Sequence, residues 1–222
     1  MNKKLIKSTL VIAIVLTFVL AGFQVQALDT EIGETEIMLN GEREHVRTQE
    51  TNLGNLVTDV IREYTGADIA VYNGGGIRDS ASLGAITLED AMEILAFENN
   101  VVTLELTGLQ IIEMLEHGVS NYPEVSGQFL QVSGLRFYFD PAAEVGQRVK
   151  EVRVGGERLR ARDTYTVATN DFLAAGGDDY AMFEEAEVVD EHDMIDTDMF
   201  IEYIQNNSPL FPKVEGRIVV LN

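Results

Sequence analysis

The sequence predicts an α+β domain of more than one layer, built on mixed and antiparallel sheets. Three observations carry that expectation. Stretches of helical and strand periodicity interleave along the chain. Several strand segments follow one another through short turns such as Ser133-Gly134 and Gly155-Gly156, which suits mixed or antiparallel pairing. The length left after an export signal, 195 of 222 residues, fills one substantial core and is too short for two domains of ordinary size.

The export signal opens the chain. Lys3, Lys4 and Lys7 precede an apolar run from Leu10 to Gly22, and Val25 and Ala27 have the small-residue spacing of a signal-peptidase site. The run is short and asymmetrically flanked for a membrane span, which predicts a signal peptide over 1–27 and cleavage after Ala27. An uncleaved anchor is the alternative. Phe23 stands where a lipoprotein would carry its acylated cysteine, so no stable membrane anchor is expected after cleavage, and the product would be secreted, extracellular or periplasmic.

Residues 28–42 lack strong periodicity and read as a mobile lead-in or an edge segment, with the domain proper over 43–222. Leu53, Leu56, Val57, Val60, Ile61 and Tyr64 fall on one helical face, with Thr51 or Asn52 as N-cap and Gly66 as the stop. A short buried strand follows at Asp68 to Tyr72 and runs into Asn73-Gly74-Gly75-Gly76. Thr87 with Asp90, and Thr107 with Gln110, have capping-box spacing and predict helices over 88–95 and 108–117. Between these helices the alternation of Val102, Leu104 and Leu106 predicts a strand with one packed face. Further strands are expected at 129–132, 135–139, 148–154, 165–169 and 217–221, with a helix over 197–205.

Composition narrows the function. Sixteen lysines and arginines face thirty-seven acids, and with the three lysines of the signal removed the charge is −24. Such a surface disfavours nucleic acid and anionic membranes. An anionic small molecule would need a local cluster of arginines set against that field, which makes the positions of the few arginines informative. The chain has no cysteine, so disulfides and thiolate metal sites are excluded.

Two glycine-bearing loops follow predicted strands. In Asn73-Gly-Gly-Gly-Ile77-Arg78 backbone amides can approach a ligand and a guanidinium can clamp an oxyanion. Asp79 breaks the dinucleotide fingerprint at its third glycine, and no Gly-Lys-Ser/Thr follows to make a P-loop. The second loop, Asn170-Asp171-Phe172-Leu-Ala-Ala-Gly-Gly-Asp178, pairs an aromatic ring with a carboxylate. Together with Thr51-Asn-Leu-Gly-Asn-Leu56 and Phe129-Leu-Gln-Val-Ser-Gly134, these motifs resemble, in order and spacing, the C-terminal domain of the 5′-nucleotidase family, from about Arg43 to the end of the chain.

The family includes periplasmic UDP-sugar hydrolases, surface ecto-5′-nucleotidases and 2′,3′-cyclic phosphodiesterases, and the resemblance implies a nucleotide or nucleoside ligand of adenine type. It implies that Phe97 and Phe172 sandwich the base and that Asn73 and Asn99 contact its edge. Asp178 would bind ribose, and Arg43, Arg47 and Arg78 would be directed at sugar and phosphate. Ala96 and Glu98 stand where the family usually has proline and glycine, and Asp179 replaces a glycine.

The family's catalytic half, a two-metal phosphoesterase with Asp-x-His and Gly-Asn-His motifs, has no counterpart in this sequence. Only His45, His117 and His192 are present. His117 suits a capping or core role, His45 lies between two of the arginines, and the acidic run around His192 reads as a solvated approach to a helix. Ser126, Ser133 and Ser208 form no nucleophile elbow. No cofactor is therefore expected in this chain, and divalent metal would enter only with a separately encoded metallophosphoesterase chain docked on the cleft. Three readings stand: a binding domain that is catalytically silent alone, the substrate-binding subunit of a split 5′-nucleotidase, or a structural domain that has lost its ligand.

Overall fold

In the computed structural model, residues 28–221 are described; the predicted signal peptide, residues 1–27, lies outside them. In chain order the elements are β1 (Glu31–Thr35), α1 (Arg43–Val46), α2 (Asn52–Thr65), β2 (Ile69–Asn73), β3 (Gly84–Thr87), α3 (Leu88–Ile94), β4 (Asn100–Thr107) and α4 (Gly108–Gly118). They continue with β5 (Leu130–Ser133), β6 (Leu135–Phe139), β7 (Val149–Val154), β8 (Glu157–Arg158), β9 (Thr164–Asn170), α5 (Asp171–Ala174), a 3-10 turn (Gly177–Asp179), α6 (Ala181–Glu184), β10 (Glu187–Ile195), α7 (Asp196–Asn207) and β11 (Ile218–Val220).

The strands form a five-stranded sheet in the order β10-β4-β9-β2-β5, a four-stranded sheet β11-β6-β7-β8 and a two-stranded ribbon β1-β3. Pairing is antiparallel except for β2 with β9 and β6 with β11, so the sheets are mixed and antiparallel, as the short turns require.

The five-stranded sheet is the centre because both of its faces are apolar. On β2, Ala70 and Tyr72 join a core shared with α2, α3 and α7, while Ile69 and Val71 point into a second core with α4 and the four-stranded sheet. The period-2 alternation of a strand thus feeds two cores at once. The same arrangement extends the expectation for β4: Val102, Leu104 and Leu106 lie in the second core and Val101 in the first, so both faces are packed over 101–104 while Glu105 stays exposed.

Helix ends follow their local chemistry. Thr51 caps α2 by accepting from the Gly54 amide at 3.0 Å, and Gly66 closes it at φ 68°. Both predicted capping boxes are present, at Thr87 with Asp90 and at Thr107 with Gln110.

Two expectations change. The lead-in takes its second form, an edge segment: β1 pairs with β3, Leu39 is fully buried, and ordered structure precedes Arg43. The run Asp190-Glu191-His192-Asp193 is largely solvated and leads into α7, but it does so as the middle of β10, an edge strand paired antiparallel with β4. A chain so rich in acids at this point hides its strand from a reading based on propensity, since Asp and Glu are depleted in strands. The tolerance arises at the edge, where one face and one row of backbone groups meet water.

Candidate functional site

The loops that leave the five-stranded sheet at the C-terminal ends of β2 and β9 meet beside the segment entering β4. Gly74 sits so close to the Val46 carbonyl that a Cβ there would collide with backbone, which is what lets the glycine run lie against α1 and bring Arg47 to the loop. Gly177 is likewise packed against the Phe172 ring. The result is a cleft of about 420 Å³ lined by Arg47, Asn73, Gly75, Gly76, Arg78, Phe97, Asn99, Gly127, Phe172 and Asp178.

Seven of the eight residues expected to contact a ligand line this cleft. Arg43 does not; it lies exposed on α1, near enough for its charge to act on Arg47. The two phenylalanines are surface residues, Phe97 57% and Phe172 46% exposed, so neither serves as core packing. The Arg78 guanidinium lies 5.4 Å from the centre of the Phe97 ring and donates to the Gly75 carbonyl at 3.2 Å.

Arg47 is the most informative group. It is only 7% exposed, and its Nε is buried without a hydrogen-bond partner. Burial, then the charges of Arg43 and Arg78, push its pKa down, while Asp178 and Glu44 oppose the shift. Three guanidinium groups held this way repel one another, and an orphaned buried donor carries a further desolvation cost. An oxyanion entering the cleft would relieve both.

Asp178 is braced on two sides. Its Oδ2 accepts from Asn73 Nδ2 at 2.7 Å, and its backbone carbonyl lies 2.7 Å from His117 Nε2. Asn73 in turn accepts from Asn170 Nδ2 at 3.1 Å. His117 thus has a more specific place than capping, since it anchors the 177–179 turn.

Beneath the cleft lies a network that motif reading missed. Asp196, 1% exposed at the start of α7, accepts from Tyr72 Oη at 2.6 Å, from Asn99 Nδ2 at 3.1 Å and from the Thr197 amide at 2.7 Å. Burial raises the Asp196 pKa, and the bonds from Tyr72, Asn99 and Thr197 pull it back. Tyr72 is fully buried, and burial, with the Asp196 charge, holds its phenol protonated well above the usual range. Asp196 belongs to the acidic stretch read as solvated, and nothing in local spacing separates it from its exposed neighbours.

A larger, more open groove of about 860 Å³ lies over the four-stranded sheet, with Arg62, Arg136, Arg153 and Arg217 among its walls. Its size does not make it the better site. Arg217 is paired with Asp59 at 2.7 Å and Glu215 at 2.8 Å, and Arg153 with Glu151 at 2.6 Å, so its charges are largely satisfied within the groove. Among the described residues no group of three or more His, Cys, Asp and Glu is placed to hold a metal, and no helix is long and apolar enough to cross a membrane.

Comparison with known proteins places the chain in a family. A family model described as 5′-nucleotidase, C-terminal domain, matches residues 31–185. The chain is 42% identical over 198 residues to the trifunctional nucleotide phosphoesterase protein YfkN of Bacillus subtilis, covering 85% of this chain and 14% of that protein. It is 35% identical over 183 residues to protein UshA of Escherichia coli, covering 82% of this chain and 32% of UshA. In three dimensions it is similar to the crystal structure of a 5′-nucleotidase precursor from Thermus thermophilus, with a TM-score of 0.87 and 38% identity over 93% of this chain and 42% of that one. The chain therefore spans only part of the relatives it matches, and by sequence and by fold it belongs to the 5′-nucleotidase C-terminal domain family.

Proposed function

We propose that this chain is an exported domain that binds a nucleotide or nucleoside, adenine type favoured, and that it is catalytically silent alone. The base would lie between Phe97 and Phe172, Asp178 would hold the ribose, and Arg47 and Arg78, with Arg43 at the rim, would meet the phosphate. The observation that carries the reading is the buried, unpartnered Nε of Arg47 at a cleft walled by two exposed phenylalanines. A tethered oxyanion suits the first feature and a π-stacked base the second.

Hydrolysis of a phosphate ester by the two-metal route needs ligands that the described residues do not assemble. A second reading is that the domain presents its nucleotide to a separately encoded metallophosphoesterase chain; that the relatives it matches are longer than the region matched is compatible with it.

Calorimetric titration of the chain with adenosine and AMP, with and without divalent metal, tests the first reading. Metal-independent binding is expected. Loss of one stacking ring in Phe172→Ala should weaken binding by ~1 to 3 kcal/mol, roughly five- to 150-fold. Absence of heat at millimolar ligand would reject the proposal, and metal-dependent hydrolysis of AMP by this chain alone would reject its catalytic silence.

A further inference from the structure

We infer that Asp196 and Tyr72 act as positioning residues that fix the polarity of Asn99, so that the cleft selects a base presenting an exocyclic amino group over one presenting a carbonyl at the same place. The inference rests on the binding reading above and adds to it the reason for discrimination.

The argument is a count of donors and acceptors. An asparagine side chain offers two N–H groups and one carbonyl oxygen. The Asn99 amide nitrogen lies 3.1 Å from Asp196 Oδ2 and 3.2 Å from Tyr72 Oη, so the donor end of the amide is turned towards these two groups below the cleft. Tyr72 Oη can accept there because its own proton is directed at Asp196, 2.6 Å away. The Thr197 amide occupies the other Asp196 oxygen at 2.7 Å, and the Thr197 hydroxyl donates to the Leu95 carbonyl at 2.8 Å. Each of these partners is itself buried: Tyr72 at 0% exposure, Asp196 at 1% and Thr197 at 2%.

Turning the Asn99 amide over would set its carbonyl oxygen against a buried carboxylate, leaving the Asp196 oxygen one donor short. The carboxylate therefore dictates the orientation, and the group that Asn99 can offer the cleft is the carbonyl Oδ1. An acceptor fixed in that position rewards an amino group and repels a carbonyl. Asn73 supplies no comparable freedom, because its side chain is bonded to Asp178 and Asn170.

The backbone reinforces the arrangement. Asp196 donates its amide to the Asn99 carbonyl at 2.9 Å, tying the start of α7 to the segment that carries Phe97 and Asn99. The residue that orients the base-reading group is thus fixed to the same strand entrance as the residue proposed to stack on the base.

The test compares adenosine with inosine, which differ in the 6-amino or 6-oxo substituent and the ring protonation that accompanies it. Titration of the full chain should show adenosine bound at least about tenfold more tightly. In Asp196→Asn the new amide can donate to Asn99, the Asn99 side chain can turn, and the adenosine-to-inosine ratio should fall towards one or invert. A variant in which both affinities drop by the same factor would make Asp196 merely structural and overturn its positioning role.

Asn99→Ala provides a second variant should Asp196→Asn fail to fold, and here too the ratio should collapse. Firm adenosine binding with inosine bound equally well in the unaltered chain would overturn the inference and leave the nucleoside-binding reading standing. Failure of both nucleosides to bind would remove that reading and the inference with it.

Discussion

Glu98 and Asp179 have a backbone conformation that explains what their positions ask for. Glu98 lies at φ 51° between Phe97 and Asn99, and Asp179 at φ 65° follows Asp178 at φ 52°, all in the left-handed region. A side chain there costs about 1 to 2 kcal/mol relative to right-handed geometry, and glycine escapes that cost. These are the two sites where the family's glycines are replaced. Glu98→Gly should therefore gain up to about 1 kcal/mol, the benefit being reduced by glycine's greater freedom in the unfolded chain. An increase in the urea midpoint at unchanged m is the expected result; a decrease would mean that Glu98 makes a compensating contact. At this scale the sequence was most legible where motifs stand in register with a family, since seven of the eight residues the resemblance points to line one cleft. It was least legible at Asp196, whose role depends on Tyr72 and Asn99, 124 and 97 positions away along the chain.

Elements were legible in proportion to how much of their stability is local. Helix α2 carries its own cap at Thr51 and its own stop at Gly66, and α3 and α4 carry complete capping boxes, so their ends can be read from neighbouring residues. Thr107→Ala should remove the α4 cap and cost about 1 kcal/mol, measurable as a shift in chemical denaturation with ligand binding unchanged. Unchanged stability would show that packing of Ile111, Met114 and Leu115 holds the helix without its cap. Strands β3 and β10 escaped notice, and β1 was legible only as one of two alternatives, for the opposite reason. Each exists because a partner far along the chain completes it, and β10 gains its place through register with β4 rather than through its own composition.

On the scale of the whole molecule, two cores flank one mixed sheet, and the cleft opens where the loops from β2 and β9 converge. The charge is distributed with the same division of labour. Over residues 28–222 the chain carries −24, yet Arg47 and Arg78 line the cleft with Arg43 nearby, so a local positive field sits within a negative envelope. That envelope also guards the edge of the central sheet. Strand β10 presents Glu187, Asp190, Glu191 and Asp193 beside the exposed Val188 and Val189, and Glu187 faces Glu105 directly across the pair. Like charges opposed in this way cost some stability within the molecule. Between molecules the same charges keep one unpaired strand from adding to another. The consequence is colloidal: as the pH falls towards the pI of about 4.3, the net charge that keeps molecules apart vanishes while the valines remain. Light scattering should then rise before the far-ultraviolet circular dichroism changes, and Val188→Lys should delay it. The excess of acids over the whole surface thus sets the range of acidity in which copies of the chain stay apart.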